Sequence, residues 1–253
     1  MIIVIKITRT VKPHKLAETE SELTNAYKLD NTKTVWNKKY IKEALFEMSH
    51  GKCCYCEVKL GEEGKYMQVE HFHNKSKYPD EVVKWENLLP SCNRCNITKS
   101  DYDTYENEII NPCIDNPKDY LYMKNYRYKS KEYNTKGMNT IDVLYLNDSD
   151  NLVKPRFAIG EEIQNKISEL LGKMNTYINS KEQSVINKNK IVFGIRDLLK
   201  LAQPTEEYSA TAATIIMGEN DYKVLKEKMK SNGLWNNELN SLDSYAEKIN
   251  LNL

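Results

Sequence analysis

Two Cys-x-x-Cys pairs frame the part of this sequence where chemistry is concentrated: Cys53 and Cys56 in GKCCYCE, and Cys92 and Cys95 in PSCNRCN. Each pair sets two thiolates on one tight turn, and four thiolates suit a tetrahedral Zn²⁺. The stretch between the pairs is longer than the commonest zinc-ribbon spacing, and it must loop back for the two turns to meet. The alternative is a cluster of buried free thiols or a redox pair. Cys54-Tyr55-Cys56 is too tight for a knuckle, so Cys54 and Cys113 read as small buried residues. A zinc ion with four sulfur ligands has no open coordination position and would be structural. Any reaction must therefore come from what the sulfurs hold together.

Between the knuckles, VEHFHNKSKYPDEVVKWENLLPSCNRCN carries an adjacent Glu70-His71, then His73, Asn87 and Asn96, with Lys99 just beyond. Taken singly, each has a plain structural reading. A Glu-His pair is usually a surface pair or a satisfied core histidine, Asn87 a turn residue, and Asn96 a helix cap. His73 reads either as a residue behind the site, as a phosphate contact, or as ordinary surface. His14 and His50 complete no motif. The ordered set Glu-His, Asn, Cys-x-x-Cys-Asn, x-x-Lys is what asks for a joint explanation.

That set resembles the ββα-metal core of HNH nucleases, many of which carry two Cys-x-x-Cys knuckles around the core. The resemblance implies Glu70 as the acidic metal ligand, His71 as general base, Asn87 as the residue that orients the base and braces the hairpin, and Asn96 as second metal ligand. It gives Lys99 a basic position suited to phosphate contact. The sequence departs at EHFHNKS, where the family usually has proline at Asn74 and often arginine at His73. Losing the proline weakens the loop's rigidity but removes no catalytic group. The chemistry is coherent on its own terms. Phosphodiester hydrolysis needs an activated water and a cation at the leaving oxygen. A histidine titrating near neutrality can take the proton. A carboxylate and an amide are hard oxygen ligands for Mg²⁺ or Mn²⁺, whereas zinc prefers sulfur.

Flanking segments, IKITRTVKPHKL, YIKEALFEMSHGKCCYCE, IINPCIDNP and GMNTIDVLYLNDSDNLVKPR, resemble a bacterial group of HNH subunits from Septu and some retron-linked anti-phage defence systems. The resemblance covers about residues 1–157. It implies a metal-dependent endonuclease working with an ABC-type ATPase partner, which must be another chain because no Walker A motif occurs here. Two other readings compete: a non-catalytic zinc module that binds nucleic acid or a protein, and a toxin-like nuclease that cleaves host RNA such as tRNA. The chemistry needs no 2′-hydroxyl and does not choose between DNA and RNA.

The elements that must position these residues imply an α+β fold: a zinc-stapled core with an N-terminal strand and helix, followed by a mainly helical C-terminal region. Ile2 to Ile7 reads as a strand. Thr34 to Ser49 has helical apolar spacing, with Thr34 as N-cap and Gly51 as the stop. YMQVEHF reads as a strand, EVVKWENLL as either helix turn or strand, and CNRCNITKSDYDTY as a turn entering a helix. Tyr120 to Tyr133 reads as a strand pair and NTKGMNT as a turn. Ile163, Ile167, Leu170, Leu171, Met174 and Ile178 line one helix face, Ile186 to Leu201 repeats the pattern, Pro204 starts another helix, and the C-terminal stretch is a last amphipathic helix. A composition shift near residue 112 divides a nuclease-like domain, 1–112, from a helical region, 113–253, whose faces are core or partner-docking surface.

With 253 residues, 40% hydrophobic and 29% charged, the chain can bury a core and keep a wet surface. Its mean hydropathy is −0.69. A net charge of +1 gives no global case for polyanion binding, so any nucleic-acid affinity must come from a local patch. YLYMKNYRYKSKEY mixes Tyr with Lys and Arg, which suits either base stacking or a half-buried sheet. No apolar run reaches membrane-spanning length and MIIVIKITRT lacks a signal-peptide core, so a cytoplasmic protein is expected.

Overall fold

Strands β1 (Met67–His71) and β2 (Leu88–Cys92) pair antiparallel in the computed structural model, which describes residues 5–62, 66–180 and 184–251. The register sets Met67 against Cys92, Val69 against Pro90, and His71 against Leu88. Pro90 donates no ladder hydrogen bond, but its carbonyl accepts the Cys54 N–H at 2.8 Å, which seats the first knuckle on the strand. EVVKWENLL is neither a regular helix nor a strand along its length. Pro79–Glu81 and Trp85–Asn87 are single 3₁₀ turns, and the strand begins at Leu88.

Helix α1 (His14–Leu29) packs on the Pro79–Glu81 turn and on α2 (Lys39–Met48), and α2 and α3 (Asn93–Lys99) pack on this hairpin. α2 buries Ile41, Leu45 and Met48 and packs on both strands. It is shorter than its apolar spacing suggests. Thr34 does not cap it; Val35 and Trp36 lie in a turn closed by Asn37 N–H on the Thr34 carbonyl. At its other end Gly51 has φ +68° and donates to the Phe46 carbonyl at 2.8 Å, a left-handed stop.

The strand expected over Ile2 to Ile7 falls in part outside the described residues. Met1–Val4 lie outside them, and residues 5–10 belong to no strand, although the Ile7 N–H donates to the Pro112 carbonyl at 2.8 Å. Arg9 holds this segment instead, donating to the carbonyls of Trp85 (2.6 Å), Leu88 (2.9 Å) and Glu86 (3.2 Å). Trp85 Nε1 returns a bond to the Thr10 carbonyl at 2.8 Å. NTKGMNT is likewise not a turn but the start of helix α4 (Thr135–Val143), after the hairpin β3 (Leu121–Lys124) and β4 (Arg127–Ser130). Asn134 caps α4 through the Gly137 N–H, and a Cβ at Gly137 would stand 2.9 Å from the Tyr120 carbonyl oxygen. In the hairpin Tyr128 is fully buried, as a half-buried sheet requires.

The chain divides into two compact units: residues up to Leu121 with Tyr128–Asn147, and Tyr122–Arg127 with the chain from Asp148 onward. The second unit is helical: α5 (Lys154–Asn179), α6 (Val185–Lys200), α7 (Ser209–Gly218), α8 (Asn220–Ser231) and α9 (Asn237–Ile249). α5 buries Ile163, Ile167, Leu170 and Met174, while Leu171 and Ile178 are half-buried. α7 is buried on nearly every side. Pro204 lies in the turn before α7 rather than starting a helix. Asp243 on α9 accepts from Tyr222 and from Lys226 (2.6 Å) on α8. Among the described residues no helix is long and apolar enough to cross a membrane.

Gly51 is the position where a side chain costs most at the first knuckle, because an added Cβ would meet the Phe46 ring at 2.8 Å as well as the left-handed φ. Gly51→Ala is expected to lower stability by about 1–2 kcal/mol. Urea midpoints read by tryptophan fluorescence check this; an unchanged midpoint would show that the turn does not hold the helix end.

Candidate active site

Glu70 and His71 end β1, and both are buried, at 3% and 6% exposure. They are held from outside the strand. Lys99, the last residue of α3, places its ammonium 2.7 Å from Glu70 Oε1 and donates to the His71 carbonyl at 2.8 Å. The Lys99 side chain is wholly buried. Burial raises the Glu70 carboxyl's pKa, and the Lys99 ammonium opposes that shift.

The His71 ring is fixed by a single bond: Nε2 lies 2.8 Å from the Val82 carbonyl oxygen. A carbonyl only accepts, so Nε2 carries the hydrogen and Nδ1 keeps the lone pair. Trp36 packs against the same ring in a T-shaped pair, with centroids 4.8 Å apart at 87°. Burial, and after it the Lys75 ammonium, push the His71 pKa down to about 3 against the pull of the Val82 carbonyl. At neutral pH the imidazole is a neutral base with one defined acceptor nitrogen.

Asn87 is buried and spends its amide on backbone. Oδ1 accepts the His73 N–H (2.7 Å), while Nδ2 donates to the carbonyls of His73 and Glu81, both at 3.1 Å. It thereby ties the turn after β1 to the segment that presents the Val82 carbonyl. Asn74 occupies the place where the resembling family has proline, and it stiffens the turn by hydrogen bonds instead. Its Oδ1 accepts from Ser76 N–H (2.8 Å), its Nδ2 donates to the Asp101 carbonyl (2.7 Å), and its carbonyl accepts from Tyr78 N–H (2.8 Å).

A cleft of about 760 Å³ opens over this region, lined by Glu70, His71 and Asn96, with Trp36, Lys42 and Lys75 among its walls. Asn96 stands one turn before Lys99 on α3, which turns its half-buried side chain to the cleft. A carboxylate and an amide oxygen on one cleft are a donor set for a hard divalent ion. Two expected residues stand elsewhere. Lys99 does not line the cleft; its charge is committed to Glu70 and the His71 carbonyl, so it is not placed to meet phosphate. His73 points away, with Nδ1 2.7 Å from Thr104 Oγ1 and its ring stacked on Tyr105 at 3.7 Å. Trp36, Lys75 and the Val82 carbonyl were missed by sequence reasoning. Lys75 sits inside EHFHNKS and its charge was the available signal; a backbone carbonyl leaves none.

Sulfur atoms of Cys53, Cys56 and Cys92 lie within 4.8 Å of one another, all buried. Cys56 and Cys92 sulfurs are 4.0 Å apart, near the ~3.8 Å that a tetrahedral zinc with ~2.3 Å bonds imposes. Cys95 Sγ is 3.0 Å from Cys92 Sγ and is the fourth sulfur at this place. Backbone N–H groups of Cys92 (2.6 Å) and Val58 (3.4 Å) point at the sulfurs of Cys53 and Cys56, as they do around thiolates. Burial drives the Cys53, Cys56 and Cys95 thiols well up, so a bound cation is what would hold them as thiolates. This buried cluster could bind a metal. Cys54 is buried, its thiol pushed up by burial to about 11, and Cys113 is half-buried.

No family model matches the chain. It is 45% identical over 247 residues to the Septu protein PtuB of Bacillus thuringiensis, covering 96% of this chain and 94% of that protein. It is 29% identical over 215 residues to the Septu protein PtuB of Bacillus mycoides (strain KBAB4), covering 68% of this chain and 72% of that one.

The depressed His71 pKa has a thermodynamic sign. Between the ordinary value of 6.5 and about 3, the unfolded chain binds a proton at this site that the folded chain does not. Stability is lost as pH falls through that window, by about 1.4 kcal/mol per pH unit from this group. The stability of wild type relative to His71→Gln is expected to fall at that slope below about pH 6. Parallel pH profiles from urea unfolding would contradict the buried neutral imidazole.

Proposed function

We propose, from the premise that this chain belongs to the Septu PtuB family, that it is the metal-dependent HNH endonuclease subunit of an anti-phage defence complex, hydrolysing nucleic-acid phosphodiester bonds. One observation carries the reading: a neutral histidine with Nε2–H fixed on a carbonyl shares a cleft with a carboxylate and a carboxamide.

In this reading Nδ1 of His71 takes the proton of the attacking water as the new P–O bond forms and the bond to the leaving oxygen breaks. Val82 holds the ring so that this nitrogen is the acceptor, and Trp36 stops the ring from turning. Asn87 ties the turn after β1 to the segment that presents the Val82 carbonyl. Glu70 and Asn96 would hold Mg²⁺ or Mn²⁺, which when bound supplies positive charge at the phosphate and leaving oxygen. Cys53, Cys56, Cys92 and Cys95 would hold Zn²⁺, which cross-links the two knuckles. The ATPase partner, PtuA-like and of ABC type, is a separate chain, and the helical region 113–253 is the surface assigned to docking it.

A pure binding module would need the sulfur cluster but not a histidine held as a single tautomer beside two hard oxygen donors.

Metal analysis of the purified protein is expected to return about one zinc per chain, lost together with cooperative folding in Cys92→Ser. A zinc-free protein that folds normally would remove the metal from the knuckles.

Plasmid DNA and total RNA are the substrates for the activity test, with the ATPase encoded beside the gene present and absent. Cleavage should require Mg²⁺ or Mn²⁺, stop with EDTA, and return when Mg²⁺ is restored. His71→Ala should lower the rate by about 10²–10⁴-fold with zinc and fold retained. Full activity in that variant would remove the assigned base.

A further inference from the structure

Lysines around the candidate site fall into two kinds. Lys77 pairs with Asp103 (2.5 Å) and Glu106 (2.6 Å), Lys84 with Glu81 (3.0 Å), and Lys99 with Glu70 (2.7 Å). Lys75 has no carboxylate partner among the described residues. Its ammonium lies over the indole face of Trp36, 5.1 Å from the ring centroid. That places a charge on an aromatic wall rather than against an acid, at a cost in solvation that a second, anionic partner would recover.

Its position is built. The backbone on either side is fixed by the three hydrogen bonds of Asn74. Trp36, which carries the ammonium on its face, also forms a T-shaped contact with the His71 ring. Lys75 lines the same cleft as Glu70, His71 and Asn96. Its charge is felt at both His71 and Glu70, which puts the ammonium close to the two groups that end β1. Among the described residues, the other charged side chains lining that cleft are Lys42, which has no acidic partner there, and Asp101.

We propose that Lys75, seated on Trp36, is the cation that contacts the nucleic-acid backbone phosphate beside His71, and that Lys99 is an internal counter-ion which substrate never touches. This rests on the nuclease reading for the identity of the ligand, a phosphodiester strand, and not for the placement of the charge. Trp36 is a positioning residue in this scheme, since it acts by holding Lys75.

Binding of fluorescein-labelled duplex and single-stranded oligonucleotides to the full-length protein, by anisotropy between 50 and 500 mM salt without added divalent ion, tests it. Lys75→Gln is expected to weaken binding about five-fold near 0.15 M salt and to flatten the slope of log K against log salt by about 0.7–0.9, the signature of one lost phosphate contact. Lys75→Arg should keep the slope. Lys77→Gln, two residues on and already paired with acids, should match wild type. Wild-type affinity and slope in Lys75→Gln, or no salt-dependent binding by the wild type, would overturn the proposal. If His71→Ala cleaves like wild type while Lys75→Gln flattens the slope, the hydrolysis reading falls and the phosphate contact stands. If His71 proves essential while Lys75→Gln binds as wild type does, only the contact falls.

Discussion

One buried ammonium organises the site. Lys99 Nζ lies between the Glu70 carboxylate and the His71 carbonyl, with side-chain exposures of 0% for Lys99 and 3% for Glu70. Such a pair contributes little net stability, because desolvating both charges cancels most of their attraction. Its effect is geometric. Removing one partner would strand the other charge in the interior at a cost of about 3–5 kcal/mol, so α3 must end beneath the end of β1. Asn96, a turn earlier on α3, is thereby brought to the cleft that Glu70 and His71 line. The helix follows directly on Cys92, so the same constraint places the second knuckle against the first.

Around that anchor, each polar group of the motif has one task. Asn87 and Asn74 spend their amides on backbone and define the turn after β1. Val82 contributes a carbonyl, the cheapest way to choose a histidine tautomer, and Trp36 contributes a T-shaped ring contact to His71 and a face to Lys75. Arg9 draws the N-terminal segment across the loop that leads to β2. Most of these contacts run through backbone carbonyls, side-chain amides and a guanidinium, which leave no mark in the hydropathy pattern, yet together they fix where an imidazole nitrogen and a carboxylate stand.

Legibility in the sequence followed physical cause. The thiolate pairs, β1, the Tyr-bearing hairpin and the apolar faces of α5, α6 and α9 were readable, because ligand spacing and burial periodicity leave direct traces. α1 was not, since only Leu16 and Tyr27 on it are buried and its apolar stripe is thin. α4 was masked by the turn-forming residues of NTKGMNT, where Asn134 is a cap and Gly137 admits a close carbonyl. Of the strand expected over Ile2 to Ile7, residues up to Val4 lie outside the described residues; the part that follows is held by the Arg9 side chain on the carbonyls of residues 85, 86 and 88 and by the Ile7 N–H on the Pro112 carbonyl, neither of which leaves a trace in the hydropathy pattern. Within the site, residue types suggested that Glu70, His71 and Asn96 act together, but not which lysine is buried. Lys99 carries the same charge as Lys75, and only the fold decides that one faces Glu70 and the other a cleft.

The central claim is that His71 is a neutral base whose Nδ1 is the acceptor, and histidine-selective ¹⁵N NMR at pH 7 tests it most directly. Chemical shifts and long-range couplings are predicted to show Nε2 protonated and Nδ1 unprotonated for His71, with the Nε2 proton protected by its bond to Val82. An imidazolium, or a ring protonated at Nδ1, would contradict the account, because the nitrogen assigned to take the proton would already carry one.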